Sequence, residues 1–145
     1  MRAGRRRTRG IAMLEWMLMP YRRYFDFSGR SRRKEYWMFF LFVMIVYVVF
    51  MVLATMFAPS VDPNTGEVSG GGMSGIVGIL MMLFWAATII PSIAVAVRRA
   101  HDQDKSGWFI LIPIYSLIMM FLEGTRGPNR FGPDPKDPAG VEAFS

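Results

Sequence analysis

The chain has 145 residues and no cysteine, with 52% of its residues hydrophobic, 19% charged and a formal net charge of +6. That length is one domain, and the missing thiols exclude disulfides, thiolate metal sites and cysteine nucleophiles. The positive balance suggests nucleic acid until its placement is read: eleven of the seventeen Lys and Arg residues precede Tyr36, and none lies between Tyr36 and Val97.

Three uncharged apolar runs, 36–61, 68–97 and 106–122, carry the excess hydrophobicity. A helix rising ~1.5 Å per residue needs about 20 residues to cross a hydrocarbon core of ~30 Å. The first two runs exceed that length and the third falls just short. A buried helix of a soluble domain shows charges on one face, and these runs show none. The expected fold is therefore all-α, an integral membrane helical bundle with two transmembrane helices plus a short third span or re-entrant segment. No nucleic-acid partner is expected, because the membrane boundary already accounts for the arginines.

In chain order, residues 1–12 form a basic extension. They resemble the positive region of a signal peptide, but Glu15 interrupts the apolar part and no small-x-small cleavage site follows. Met13 is the alternative start: omitting the first twelve residues removes five arginines from the net +6 and leaves +1. Residues 13–19 are apolar on nearly every side and bounded by Pro20, too short to span. They fit either a short helix in the headgroup layer or a cap on the bundle.

Residues 25–37 (FDFSGRSRRKEYW) combine a Ser28-Gly29 turn with Ser31 as the expected cap of the next helix. Arg30, Arg32, Arg33 and Lys34 oppose the helix dipole, an effect anionic headgroups would offset by ~1 kcal/mol per basic residue. Glu35 complements the dipole or pairs with an arginine, and Tyr36 and Trp37 fit an aromatic interface belt. The first span covers about 36–58. Residues 59–72 are rich in Pro, Gly and Ser and carry acids but no base, so they read as an outside loop with the amino terminus in the cytoplasm.

The second span covers about 73–97. Thr88, Ser92, Ala96 and Ala100 recur every fourth residue, a stripe that admits close approach of the first span or of a second copy of the chain. Pro91 should kink it. Residues 98–107 then return the chain through a dense polar turn, in which a brief helical continuation would pair Arg98 with Asp102 and His101 with Lys105. Ser106-Gly107 breaks the pattern and Trp108 re-enters the interface. Residues 106–122, with Pro113 inside, either cross with local thinning or enter and return; crossing is the expectation. The integral membrane domain runs to about 135, and 136–145 read as a disordered tail.

Three motifs thus stand in register between the apolar runs: Ser28-Gly29-Arg30 through Glu35-Tyr36-Trp37, Arg98-Arg99-x-His101-Asp102 with Ser106-Gly107-Trp108, and Asn129-Arg130-Phe131-Gly132-Pro133-Asp134-Pro135. Their order and wording resemble the small bacterial inner-membrane proteins grouped as domain of unknown function 805, the YhaH-like proteins. The resemblance covers about 13–135, with Ala100 standing where such proteins usually carry leucine. It implies an integral inner-membrane protein and no particular reaction.

Arg30, Arg33, Arg98, Arg99 and Lys105 are the candidate phosphate or lipid-headgroup ligands, since guanidinium groups bind phosphate bidentately. Glu35, His101, Asp102, Ser106, Asn129 and Arg130 are candidates for a structural polar network. Tyr36, Trp37 and Trp108 are the interface anchors. One histidine beside two carboxylates is a weak metal signal, so no metal or cofactor is expected. The expected role is a non-catalytic interaction or accessory protein whose cytoplasmic-face basic patch contacts membrane lipids, anionic ones above all, or a partner. The alternative is a membrane enzyme or transport component acting on a phosphate-bearing lipid through Arg98, Arg99, His101 and Asp102.

Overall fold

The computed structural model describes residues 3–136. Four helices occur in order: α1 (Ala3–Arg22), α2 (Arg33–Met56), α3 (Gly72–Asp102) and α4 (Pro113–Phe121). A two-stranded ribbon, β1 (Ser60–Val61) with β2 (Val68–Ser69), separates α2 from α3, and a 3₁₀ segment (Gly107–Leu111) precedes α4. The chain divides into two units, Met1–Leu41 with Ile90–Ser145, and Phe42–Ile89.

α2 and α3 are long and apolar enough to cross a membrane. Their surfaces decide between lipid and a soluble core. Val48, Met51, Met82 and Trp85 are each more than half exposed, so no protein layer covers them. Large apolar side chains left open along much of both helices suit lipid tails around them.

Within Phe42–Ile89, the rings of Tyr47 and Phe50 each lie 5.9 Å from that of Phe84, joining the two helices. Residues 59–72 contain more order than the loop expected there. Asp62 accepts the Asn64 amide at 2.8 Å, its own amide bonds Glu67 O at 2.9 Å, and Gly66 supplies the left-handed turn at φ 71°. An acidic side chain thus closes a hairpin tight enough for Ser60 to pair with Ser69.

In the other unit several expectations change. α1 runs through Pro20 to Arg22, because that proline lies in the last turn and removes a single helical bond; Arg23 N still donates to Met19 O at 3.1 Å. Ser31 does not cap α2. Its amide donates to Arg98 O, and its buried hydroxyl has no partner among the described residues. The turn expected from 98 begins only after Asp102, where Lys105 N bonds Ala100 O and Asp104 N bonds His101 O, both at 3.0 Å. Asp104 takes the left-handed conformation (φ 56°) that this helix ending requires.

The third apolar run does not form one continuous helix. Pro113 splits it into the 3₁₀ segment and a nine-residue α4, only ~14 Å long at 1.5 Å per residue. Its far end comes back to its beginning: Thr125 N donates to Asp102 O at 2.8 Å and Thr125 Oγ1 to the same oxygen at 3.2 Å. The expected tail over 136–145 lies outside the described residues, Lys136 apart.

The Thr125–Asp102 bond closes this segment into a loop with Lys105 and Arg126, both exposed, near its two ends. Because the chain has no cysteine, Lys105→Cys and Arg126→Cys should each react with an impermeant maleimide from the same face of sealed vesicles. Reaction from opposite faces would restore the crossing.

Candidate functional site

The polar site is built at the end of α3, where consecutive arginines point to different partners. Arg98 Nη2 donates to Glu35 Oε1 of α2 at 3.0 Å, and its Nη1 reaches the carbonyls of Asp26 and Arg23. Arg99 Nη1 donates to Asp102 Oδ2 at 2.5 Å and its Nη2 to Leu122 O. Asp102 Oδ1 in turn accepts Arg30 Nε at 3.0 Å. Arg30 also holds Gly127 O at 2.6 Å and Thr125 O at 2.5 Å. Three guanidinium groups and two carboxylates therefore sit together, with no side chain among them more than 4% exposed. The i,i+4 pairing of Arg98 with Asp102 is replaced by the i,i+3 pair of Arg99, and Lys105 lies beyond the helix.

Backbone groups explain why so many donors gather. A helix leaves its last carbonyls without partners. At the end of α4 each one is taken by a different side chain: Gln103 Nε2 on Met119 O at 2.6 Å, Trp37 Nε1 on Met120 O at 3.3 Å, Arg33 Nη1 on Phe121 O at 3.0 Å, and Arg99 on Leu122 O. Two of these donors are cations, which the negative end of the helix favours. Gly124 follows at the closest approach, where a Cβ would collide with the Asp102 carboxylate.

The third motif folds onto the same cluster. Asn129 Nδ2 donates to His101 O at 2.9 Å and to Thr125 Oγ1 at 3.0 Å. The Phe131 ring stacks on His101 with centroids 3.9 Å apart and planes within 4°. His101 Nδ1 lies 3.1 Å from Gly29 O; a carbonyl only accepts, so Nδ1 carries the proton. Arg130 pairs with Asp104 on the surface, close enough to attract at 3.2 Å but not aligned for a hydrogen bond between those side chains.

This arrangement corrects the phosphate assignment for Arg30, Arg98 and Arg99. They are buried, three guanidinium groups sharing the carboxylates of Glu35 and Asp102, so they are not presented to headgroups. Arg33 is 38% exposed and shared with Glu123 at 2.5 Å, and Lys105 is exposed. Asp102 neutralises arginines rather than orienting His101, so the two do not form an acid–base pair. Ser106 stands at the start of the 3₁₀ segment without making a capping bond. Of the anchors, Trp37 packs on Phe121 at 5.2 Å, Tyr36 meets Trp37 edge-on, and Trp108 is 78% exposed. In the small-residue stripe Thr88 and Ala100 are buried, and Ser92 and Ala96 half-buried.

Gln103, Gly124 and Thr125 carry the site without having been singled out, as does Asp26, and Phe131 was named only as part of the third motif. Only Asp26 had a local signal, the spacing Asp26-x-Ser28 of a side chain that closes its own turn. Partial burial opposes its ionisation, but hydrogen bonds from Ser28 Oγ, Arg23 and Ser28 N outweigh it and hold the pKa at about 2. Asp134 behaves alike. Burial pushes it up, while the Lys136 and Gly127 amides, aided by the charges of Arg30 and Lys136, bring it below its ordinary 3.8.

Magnitudes separate these charges. Removing one partner of a buried pair costs about 3–5 kcal/mol, whereas an exposed pair is worth about 0–1 kcal/mol. Asp102→Asn should therefore lower unfolding stability in micelles by about 3–5 kcal/mol, and Asp104→Asn by less than about 1 kcal/mol; equal losses would remove the distinction. A depressed carboxyl pKa stabilises the fold above the unfolded value and ceases to as pH falls through the folded one. The Gly127 amide, 3.0 Å from Asp134 Oδ2, should thus be protected from hydrogen exchange above the ordinary 3.8 and lose protection progressively below it.

The family model described as protein of unknown function (DUF805) matches residues 24–133. The inner membrane protein YhaH of Escherichia coli strain K12 is 37% identical over 130 residues, covering 85% of this chain and 98% of its own length. The inner membrane protein YhaI of the same strain is 36% identical over 130 residues, covering 85% and 97%. No solved structure matches. The matched residues contain every member of the buried ion-pair cluster and the ring stack beside it, and the chain belongs to the DUF805 family of membrane proteins of unknown function.

Proposed function

We propose that the protein is a non-catalytic accessory protein of the bacterial inner membrane, amino terminus in the cytoplasm, whose polar end rests on anionic lipid headgroups. The inner-membrane placement draws on the two relatives, and the orientation on the basic residues that flank α2 and follow α3. One observation carries the lipid reading: the cations are sorted. Arg30, Arg98 and Arg99 are used up inside, while Arg22, Lys34, Lys105 and Arg126 are left exposed.

Trp16 adds an anchor to that outer set. Lys34 Nζ lies 5.1 Å and the Arg32 guanidinium 5.9 Å from the centre of its ring. An indole flanked by cations suits the headgroup layer, where the ring meets the acyl boundary and the charges meet phosphate. The non-catalytic reading rests on commitment: Glu35 and Asp102 already hold guanidinium groups, and His101 Nδ1 faces the Gly29 carbonyl where a catalytic imidazole is backed by a carboxylate. A general acid or base needs its proton site open to a substrate.

Each basic residue at an anionic surface contributes about 1 kcal/mol, roughly fivefold in affinity. Arg32→Gln with Lys34→Gln should accordingly strip phosphatidylglycerol from the protein in native mass spectra taken at rising salt. Retention equal to that of the unsubstituted chain would overturn the headgroup reading. In the same orientation, Lys105→Cys and Arg126→Cys react from the cytoplasmic face.

A further inference from the structure

Beside the ion-pair cluster the 3₁₀ segment stands off from α3 and leaves a cleft of about 460 Å³. That is the size of sites that hold one small molecule, ~300–1,000 Å³. Its walls are Ile93 and Val97 of α3 and Trp108 and Leu111 of the 3₁₀ segment, and its polar lining is His101 and Ser106. The shape is set by Gly107: a Cβ there would meet Val97 Cγ1 at 2.9 Å, so only glycine lets the two elements approach this closely.

The two polar groups offer the cleft complementary atoms. With Nδ1 donating to Gly29 O, the His101 ring in its neutral form presents Nε2 as an acceptor, and the Phe131 stack fixes the ring plane. Ser106 occupies a capping position but its hydroxyl makes no capping bond, and it both donates and accepts. A site with an acceptor nitrogen and a hydroxyl is matched by a ligand hydroxyl. The rest of the lining is apolar, and Trp108 and Leu111 are 78% and 68% exposed, so the cleft opens outward on that side.

We propose that this cleft binds one hydroxyl-bearing lipid, its chain against Ile93, Val97, Trp108 and Leu111 and its headgroup hydroxyl shared by His101 Nε2 and Ser106 Oγ. The inference rests on the membrane placement proposed above but not on the headgroup charge. A phosphodiester without a hydroxyl offers His101 no proton, so the recognised chemistry is the glycerol hydroxyl. Two sources present it, an acylglycerol and the glycerol headgroup of phosphatidylglycerol.

Native mass spectrometry of the full chain, released from micelles with each of three probes, tests this. A long-chain monoacylglycerol should be retained one per chain, phosphatidylcholine should not, and phosphatidylglycerol retention at high salt would assign the site to both sources rather than to the acylglycerol alone. Ile93→Phe fills the cleft and should reduce monoacylglycerol retention roughly tenfold. Ser106→Ala, which disturbs no packing bond, should reduce it roughly three- to tenfold, the value of one hydrogen bond. Arg32→Gln with Lys34→Gln should leave it unchanged, so that loss of the charge-dependent reading and loss of this one are told apart. Equal retention of phosphatidylcholine, no retention of monoacylglycerol, or retention indifferent to both Ile93→Phe and Ser106→Ala would overturn the proposal.

Discussion

The polar unit depends on one carboxylate shared by two arginines. Asp102 holds Arg99 from its own helix and Arg30 from the turn before α2, and Glu35 holds Arg98 alongside. Burying such ions costs several kcal/mol each, and their mutual attraction offsets this only with good geometry and further hydrogen bonds. Here each guanidinium also takes at least one backbone carbonyl, so most of the donors released from water find a partner. Helices in lipid gain no hydrophobic energy by meeting, since tails solvate them as well as neighbours do. The buried ion cluster instead ties the start of α2, the end of α3 and the segments around them by directional bonds.

The returning segment follows from the same need for donors. α4 is too short to cross, and its terminal carbonyls would be exposed to an apolar boundary if nothing met them. Gln103, Trp37, Arg33 and Arg99 meet them one by one, drawing the segment back against the starts of α2 and its own origin at Asp102. Gly124 and Thr125 then fit beneath the carboxylate, and the last motif reaches His101. The convergence of three motifs distant in sequence is thus a consequence of satisfying a helix end.

Charge in this protein has two uses, distinguished by burial. The inner arginines act as multi-armed clamps on backbone, a role lysine's single ammonium could not fill. The outer cations, with Trp16 among them, face the surroundings. The cleft beside α3, with its apolar walls and its hydroxyl and imidazole, suits an amphipathic molecule better than an ion.

Composition and the length of the uncharged runs determined that the chain is helical, that two segments cross a membrane, and where its polar boundary lies. These are properties of solvent transfer, which sums over residues regardless of their contacts. The pairing of Arg99 rather than Arg98 with Asp102 was not legible, because the two spacings differ by one residue and the choice is made by Glu35 on another helix. Nor was the return of the third run, since seventeen apolar residues satisfy a thin crossing and a re-entrant path alike until Pro113, Gly124 and the waiting donors are placed in space. The capping role expected of Ser31 failed for the same reason: Arg98 O, 67 residues away in sequence, claimed its amide. Tertiary structure alone decided which charges are neutralised inside and which remain outside, because neutralisation depends on distances between segments and on the water excluded where they meet.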